Sequence, residues 1–204
     1  MVEEVERYLD ELFPNPKCEL DYNKDYELLI AVVLSAQTTD KRVNAVTSNL
    51  FDKYKSLEEL SRADINDIAQ IIKSIGTFNK KAIFVKEIAT ILNKEYNGKV
   101  PNDRTSLEKL PGVGRKTTNV VLSVLFNVPA IAVDTHVSRV SRRLGLASKN
   151  DDVNVIEKRL MKKFDKSTWS KRHHQLVLFG RYHCKATSPN CSNCKLKSIC
   201  KDSR

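Results

Sequence analysis

Apolar positions recur three and four residues apart over almost the whole chain, and the two-residue alternation of strands is nearly absent. Val2, Val5, Leu9 and Leu12, set among Glu3, Glu4 and Glu6, predict an amphipathic helix over residues 2–13 that Pro14 and Pro16 terminate. A second helix begins at Asp25, and Leu28, Leu29, Val32 and Val33 make it apolar on most sides, as a buried helix should be. Gln37, Thr38, Thr39 and Asp40 break that pattern, and Thr39 or Asp40 caps a third helix carrying Val43, Val46 and Leu50. Ser56 and Glu59 have capping-box spacing for a short helix through Leu60. Asp64 or Asn66 opens the next, with Ile68, Ile71, Ile72 and Ile75 inward and Gly76 as its C-terminal stop. After Thr77, Phe78 and Asn79, a long helix carries Ile83, Val85, Ile88, Ile91 and Leu92 as far as Asn97 and Gly98.

Leu110-Pro111-Gly112-Val113-Gly114-Arg115-Lys116 interrupts the helices most sharply. Two glycines two positions apart cannot continue a helix and read as a tight turn. Before it, Thr105 and Glu108 have capping-box spacing. After it, Val120, Val121, Val124 and Leu125 form the stripe of a helix over residues 116–126. The product is helix, glycine hairpin, helix. It is either an ordinary turn or a phosphate site built from helix-start amides. Beyond Asn127-Val128-Pro129, an apolar stretch delivers Asp134 to the start of a helix that Gly145 stops, and helices over residues 153–164 and 169–182 follow. The fold class is all-α, with about ten helices and no repeat of solenoid period.

Charge narrows the partner. Lys and Arg number 35 against 25 Asp and Glu, a formal net charge of +10, which points to an anionic partner and first to nucleic acid. The alternative is a self-repelling, well-solvated surface. The acidic N-terminus is no secretory signal, and the longest apolar run, residues 28–34, is too short to span a bilayer. The expectation is a soluble, intracellular protein with no membrane partner.

Four of the five cysteines crowd the end of the chain as Cys184, Cys191, Cys194 and Cys200, spaced C-x6-C-x2-C-x5-C. A single C-x2-C flanked by one cysteine on each side differs from the paired knuckles of zinc ribbons. It favours a 4Fe–4S cluster over zinc, with disulfides least favoured in a reducing compartment. Lys185, Lys195, Lys197 and Lys201 in the same loop form either a cationic surface suited to phosphates or a plain solvated one. Cys18 lies outside the spacing and reads as a free structural thiol. His136 reads as a packing or hydrogen-bonding residue, and His173, His174 and His183 show no further ligand spacing.

The glycine hairpin with Lys116 just after it, then Val133-Asp134-Thr135-His136-Val137, then the terminal four-cysteine loop occur in an order that closely resembles the endonuclease III family of base-excision DNA glycosylases, of the helix-hairpin-helix type. The resemblance runs from Glu27-Leu28-Leu29-Ile30-Ala31 through Leu34-Ser35-Ala36-Gln37 to Cys200. It implies two domains. One is a six-helix barrel over residues 18–129 that contains the helix-hairpin-helix. The other is a helical domain of residues 1–17 and 130–204 that ends in the 4Fe–4S cluster loop. DNA would lie in the cleft between them. It further implies a monomer in the cytoplasm, at the nucleoid.

The resemblance also assigns roles. Lys116 would be the nucleophile. Its amine attacks the sugar carbon bearing the damaged base, expels the base and forms a Schiff base, after which the 3′ phosphate leaves by β-elimination. Its place in the first turn of a helix, where the dipole and partial burial both disfavour an ammonium, suits that task. Asp134 would assist the lysine and stabilise positive charge on the sugar; on residue type alone it is an N-cap, and the two uses can coexist. Pro111, Gly112, Val113, Gly114 and Arg115 would grip the DNA backbone, as would Lys195 and Lys197. Gln37 would fill the gap left by the everted nucleotide, with Thr77 at the companion wedge position, where many members carry a larger apolar residue. Thr118 replaces a common alanine. Adenine-mismatch relatives typically carry a serine at the position of Lys116, so this lysine implies a bifunctional glycosylase and abasic-site lyase. The expected substrates are oxidised or ring-saturated pyrimidines, and abasic sites, in double-stranded DNA. A monofunctional mismatch glycosylase and a non-catalytic DNA-binding iron–sulfur module are the alternatives.

Overall fold

The computed structural model describes residues 1–202, and among them every regular element is helical. No helix of the described residues is long and apolar enough to cross a membrane. The chain divides into two compact units, one of residues 19–126 and the other of residues 1–18 with the chain from Asn127 onward.

The unit of residues 19–126 is built on α2 (Asp25–Leu34), of which every residue after Asp25 is buried. Its companions are α3 (Asp40–Lys53), α4 (Leu57–Arg62), α5 (Ile65–Ile71), α6 (Phe78–Glu95), α7 (Arg104–Leu107) and α8 (Arg115–Phe126). Helix α2 packs against α3, α6 and α8. Side-chain caps set the starts of α4 and α5. The Ser56 hydroxyl accepts from the Glu59 amide at 3.1 Å, and the Asp64 carboxylate accepts from the amides of Asn66 and Asp67 at 2.8 and 3.2 Å.

Three local expectations fail, each for a reason. Helix α5 ends at Ile71 rather than at Gly76; Ile72 and Ile75 are buried from the turn that follows, and the left-handed residue there is Thr77, with φ 55°. Thr105 does not open α7, because Asp103 accepts from the Ser106 amide at 2.9 Å and a carboxylate is at least as good a cap. Ile83 faces solvent, 41% exposed, while Lys81 takes a buried place on α6.

The other unit assembles α1 (Val2–Leu12), α9 (Thr135–Arg143), α10 (Val153–Lys163) and α11 (Trp169–Leu178), which runs on as a π-helical turn over Phe179–His183. Their core includes Val5, Leu9, Val137, Val140, Leu160 and Phe179. A polar clasp fixes α1 on α11. The buried Arg172 guanidinium donates to both Asp10 carboxylate oxygens at 2.8 and 3.1 Å, and Gln175, fully buried, donates to Asp10 and to the Phe13 carbonyl, both at 2.9 Å. Partial burial pushes the Asp10 carboxyl up, but hydrogen bonds from Arg172, Lys171 and Gln175 outweigh it and hold it well below the usual carboxylate range. A group depressed in this way stabilises the fold above its unfolded value, near 4, and loses that contribution as pH falls further toward the depressed value. The melting-temperature gap between the protein and its Asp10→Asn variant should therefore be full at pH 7 and shrink between about pH 4 and pH 2. A gap independent of pH would remove the ionised carboxylate from the clasp.

Candidate functional site

The hairpin lies between α7 and α8. Gly112 has φ +73°, and a Cβ there would stand 2.6 Å from the Phe84 ring, so this position requires glycine twice over. Gly114 has neither constraint. Leu110 and Val113 are buried, and the Val113 amide closes the turn on the Leu110 carbonyl at 3.1 Å. Arg104 ties the two helices together by donating to Glu108 at 2.9 Å and to the buried Asn119 at 2.5 Å. Helix α8 begins with Arg115, and its first bond to the preceding turn runs from the Thr118 amide to the Gly114 carbonyl at 2.9 Å. The residues of that first turn therefore carry amides with no acceptor inside the helix.

Gly112, Gly114, Arg115 and Lys116 are exposed, and Pro111 is half-buried. The partial burial expected for Lys116 is not found. Its neighbour Thr118 is fully buried, and among the described residues its hydroxyl has no hydrogen-bond partner, a cost that alanine would not incur. The face of α8 turned inward is 118–123. Val124 and Leu125 of the expected stripe are half-buried.

Gln37 and Thr77 share an unusual property. Both are exposed non-glycine residues in the left-handed region, each at φ 55°. A β-branched residue such as Thr77 adopts that geometry only under external constraint, at a cost of about 1–3 kcal/mol. The turn at Gln37 is held by a residue that sequence reading missed. Lys81, 4% exposed, donates from Nζ to the carbonyls of Leu34 and Ala36 at 2.9 and 2.7 Å and to the Thr38 hydroxyl at 3.3 Å. Only its place on α6 four residues after Thr77 could have signalled this, and a lysine there reads as solvated.

In the other unit, the buried stretch Ile131-Ala132-Val133 leads to Asp134, whose carboxylate accepts from the Val137 amide at 2.8 Å and caps α9. His136 meets the Arg139 guanidinium at 3.3 Å. Two arginines of the same helix hold the cysteine loop. Arg139 donates to the carbonyls of Gly180 and Cys184 at 2.7 and 3.1 Å, and Arg143 to the Lys185 carbonyl at 2.7 Å and the Cys184 Sγ at 3.5 Å. The i, i+4 spacing puts Arg139 and Arg143 on one face of α9 but does not separate a loop-holding pair from a solvated one. The Tyr8 hydroxyl anchors the loop from the other side, on the Asn193 carbonyl at 3.1 Å.

Cys184, Cys191, Cys194 and Cys200 line one apolar cavity with Leu144, Phe179 and Pro189. Burial pushes the Cys194 thiol up, a hydrogen bond from the Leu196 amide offsets part of that, and the neighbouring Cys184, Cys200 and Cys191 add to the rise. Among the described residues, however, no group of three or more His, Cys, Asp or Glu is arranged to hold a single metal ion. Lys197 lines the same cavity. Lys195 is paired with Glu11 and lies over the Tyr8 ring. The pair is exposed on both sides and so weak that an incoming phosphate could replace the carboxylate. Cys18 takes part in no disulfide.

The hairpin glycines make a paired prediction. Gly112→Ala should destabilise the protein by about 1–3 kcal/mol in urea unfolding, through the positive φ and the Phe84 contact. Gly114→Ala should stay within about 0.5 kcal/mol. Equal effects would contradict the distinct roles of the two positions.

Comparison with known proteins accounts for the arrangement. A family model described as HhH-GPD superfamily base excision DNA repair protein matches residues 30–166. Endonuclease III of Bacillus subtilis is 50% identical over 204 residues, covering 98% of this chain and 93% of that protein. Endonuclease III of Escherichia coli is 41% identical over 197 residues, covering 97% and 93%. A trapped covalent intermediate of an endonuclease III with DNA matches this fold with TM-score 0.94 at 48% identity, over 100% of this chain and 97% of that one. A thermostable thymine-DNA glycosylase matches with TM-score 0.84 at 25% identity, over 98% and 96%. The all-α architecture, the glycine hairpin and the extent of these matches lead to one conclusion: the chain belongs to the HhH-GPD superfamily of base excision DNA repair proteins, and within it to the endonuclease III family of DNA glycosylases.

Proposed function

We propose that this bifunctional base-excision glycosylase and abasic-site lyase uses Lys116 as its nucleophile and Asp134 as the assisting carboxylate, on damaged pyrimidines in double-stranded DNA. The observation that carries the reading is the exposed Lys116 in the first turn of α8, directly after a hairpin whose geometry demands Gly112. The relative trapped in covalent union with DNA supports a covalent route.

The steps follow from the residue types. The duplex gives up one nucleotide to the protein, at an unstacking cost of a few kcal/mol. Pro111 to Arg115 hold the backbone beside it through helix-start amides and the Arg115 charge, while Gln37 and Thr77 occupy the vacated space. The free amine of Lys116 forms a bond to the sugar carbon as the bond to the base breaks and the base leaves with its electron pair. Asp134 stabilises the cationic sugar. The nitrogen then loses a proton and its lone pair opens the sugar ring: the bond from that carbon to the ring oxygen breaks, the ring oxygen takes up a proton, and the iminium so formed acidifies the adjacent sugar hydrogen. Loss of that proton expels the 3′ phosphate, and water then releases the lysine. Lys195 and Lys197 add positive charge for a neighbouring phosphate.

Cys184, Cys191, Cys194 and Cys200 would hold a 4Fe–4S cluster. Each cysteine of such a cluster ligates a different iron, so the sulfurs stand farther apart than around a single ion. That suits four cysteines lining one apolar cavity without a single-ion site among the described residues. When bound, the cluster supplies the positive charge that lets four crowded thiols ionise together, and so fixes the loop.

Borohydride reduction of the protein on a duplex with one abasic site should give a covalent protein–DNA adduct. Lys116→Ala should give none and should lose strand cleavage; base release without any adduct would make the enzyme monofunctional. Asp134→Asn keeps a good cap, so its melting temperature and DNA affinity should change little while base release slows by about 10²-fold or more. Near-normal turnover in this variant would remove Asp134 from the chemistry. Elemental analysis of the purified protein should find about four irons per chain. Stoichiometric zinc instead would overturn the cluster assignment.

A further inference from the structure

Lys81 is a charged side chain in the interior of the unit of residues 19–126 that the proposed chemistry does not use. Its hydrogen-bond partners are two main-chain carbonyls and a hydroxyl, all within Leu34–Thr38. An ammonium has three N–H donors, and these three acceptors engage all of them. Leu34 is the last residue of α2, so the cation also sits where that helix's terminal carbonyls concentrate negative charge.

The placement of the partners is the informative part. Ala36 and Thr38 flank Gln37 on either side, so Lys81 grips the left-handed turn at both shoulders while leaving the Gln37 side chain exposed. At the same time the Lys81 amide donates to the Thr77 carbonyl at 3.1 Å. That bond is the first of α6, so the Lys81 side chain ties the loop around Gln37 to the start of the helix of which Thr77 is the N-cap residue.

We infer that Lys81 is a positioning residue that locks the Gln37 loop to the Thr77 turn, so that both enter the space of the everted nucleotide as one preformed unit. This rests on the proposed gap-filling roles of Gln37 and Thr77. A side chain that must replace a base within the stack gains most when its backbone is fixed beforehand, because ordering it during eversion would consume the energy needed for unstacking. Removing the ammonium leaves the carbonyls of Leu34 and Ala36 short of their donor and frees the loop to relax from φ 55°, which misplaces Gln37 without touching Lys116.

The test is a double-mutant cycle of the intact cluster-bearing protein, read in single-turnover base release from a duplex with one dihydrothymine. A second readout is the fluorescence of 2-aminopurine opposite an abasic-site analogue. Lys81→Met and Gln37→Ala should each slow base release by about tenfold or more, and the double variant should be no slower than the slower single one, as expected for residues sharing one contact network. Lys81→Met should also bind the analogue duplex with a reduced 2-aminopurine rise. Thr38→Val, which removes one of the three acceptors and leaves the core intact, should shift both readouts in the same direction and so tests the clasp should Lys81→Met not fold. Wild-type behaviour of Lys81→Met, or of Thr38→Val where that variant carries the test, would overturn the inference. So would effects of Lys81→Met and Gln37→Ala that multiply in the double variant, which marks independent, merely structural loss. A wild-type rate for Gln37→Ala would instead overturn the gap-filling reading beneath it, an outcome the cycle separates from the others.

Discussion

A helix buried on every face has nowhere to leave its polar ends, and in the unit of residues 19–126 that helix is α2. Each buried carbonyl or amide left unpaired costs about 1–3 kcal/mol, enough to matter against the marginal stability of a small domain. The N-terminal end is settled locally, by the buried Glu27 carboxylate accepting from the amides of Asn23 and Lys24 at 2.7 and 3.3 Å. The C-terminal end is settled from a distance, by Lys81. The apolar sequence that makes α2 a core element thus obliges another helix to bring a cation to its end.

Helix α6 then supports two separate features within one turn. Lys81 reaches the loop at Gln37, and Phe84, three residues on, packs against Gly112 of the hairpin, with Lys80 over the Phe84 ring at 5.5 Å. Helix α8, which carries Lys116, rests in turn on α2. Features proposed to touch DNA are therefore placed by a short stretch of α6 and by the helix it caps. Close packing transmits small shifts across such a stretch, so they adjust together.

Much of this was legible in the chain. Ser56, Asp64 and Asp134 act through hydrogen bonds to amides two or three residues away, so their capping roles follow from local sequence. The grouping of four cysteines near the end of the chain was legible from spacing alone, and the structure places all four on one cavity. Gly112 was legible as a turn residue, but its contact with Phe84 was not, since 28 positions separate the two. Thr105 lost to Asp103, a neighbouring cap at least as good, and the left-handed turn fell on Thr77 rather than Gly76, which a β-branched side chain does not announce. Lys81, Arg139 and Arg143 were illegible because a charged residue on an amphipathic helix reads as solvated. Only carbonyls delivered by other segments, residues 34–36 for the lysine and residues 180–185 for the arginines, make burial favourable.

The second unit answers a harder version of the same demand. A loop of some seventeen residues with little apolar content cannot hold its own shape, and α9 supplies what it lacks through Arg139 and Arg143, with Tyr8 of α1 opposite. The same α9 starts at Asp134, whose carboxylate is fixed by its own cap bond. The carboxylate proposed to face the sugar and the loop proposed to wrap the cluster thus share one nine-residue helix, which Asp134 caps and whose middle and last residues, Arg139 and Arg143, hold the loop. A cluster in the cavity of Cys184, Cys191, Cys194 and Cys200 need take no part in bond breaking to matter for catalysis. By holding the loop rigid it would give Arg139 and Arg143 fixed acceptors and so steady the helix that Asp134 caps. On the proposed roles, the assisting carboxylate and the cluster loop would be coupled through α9.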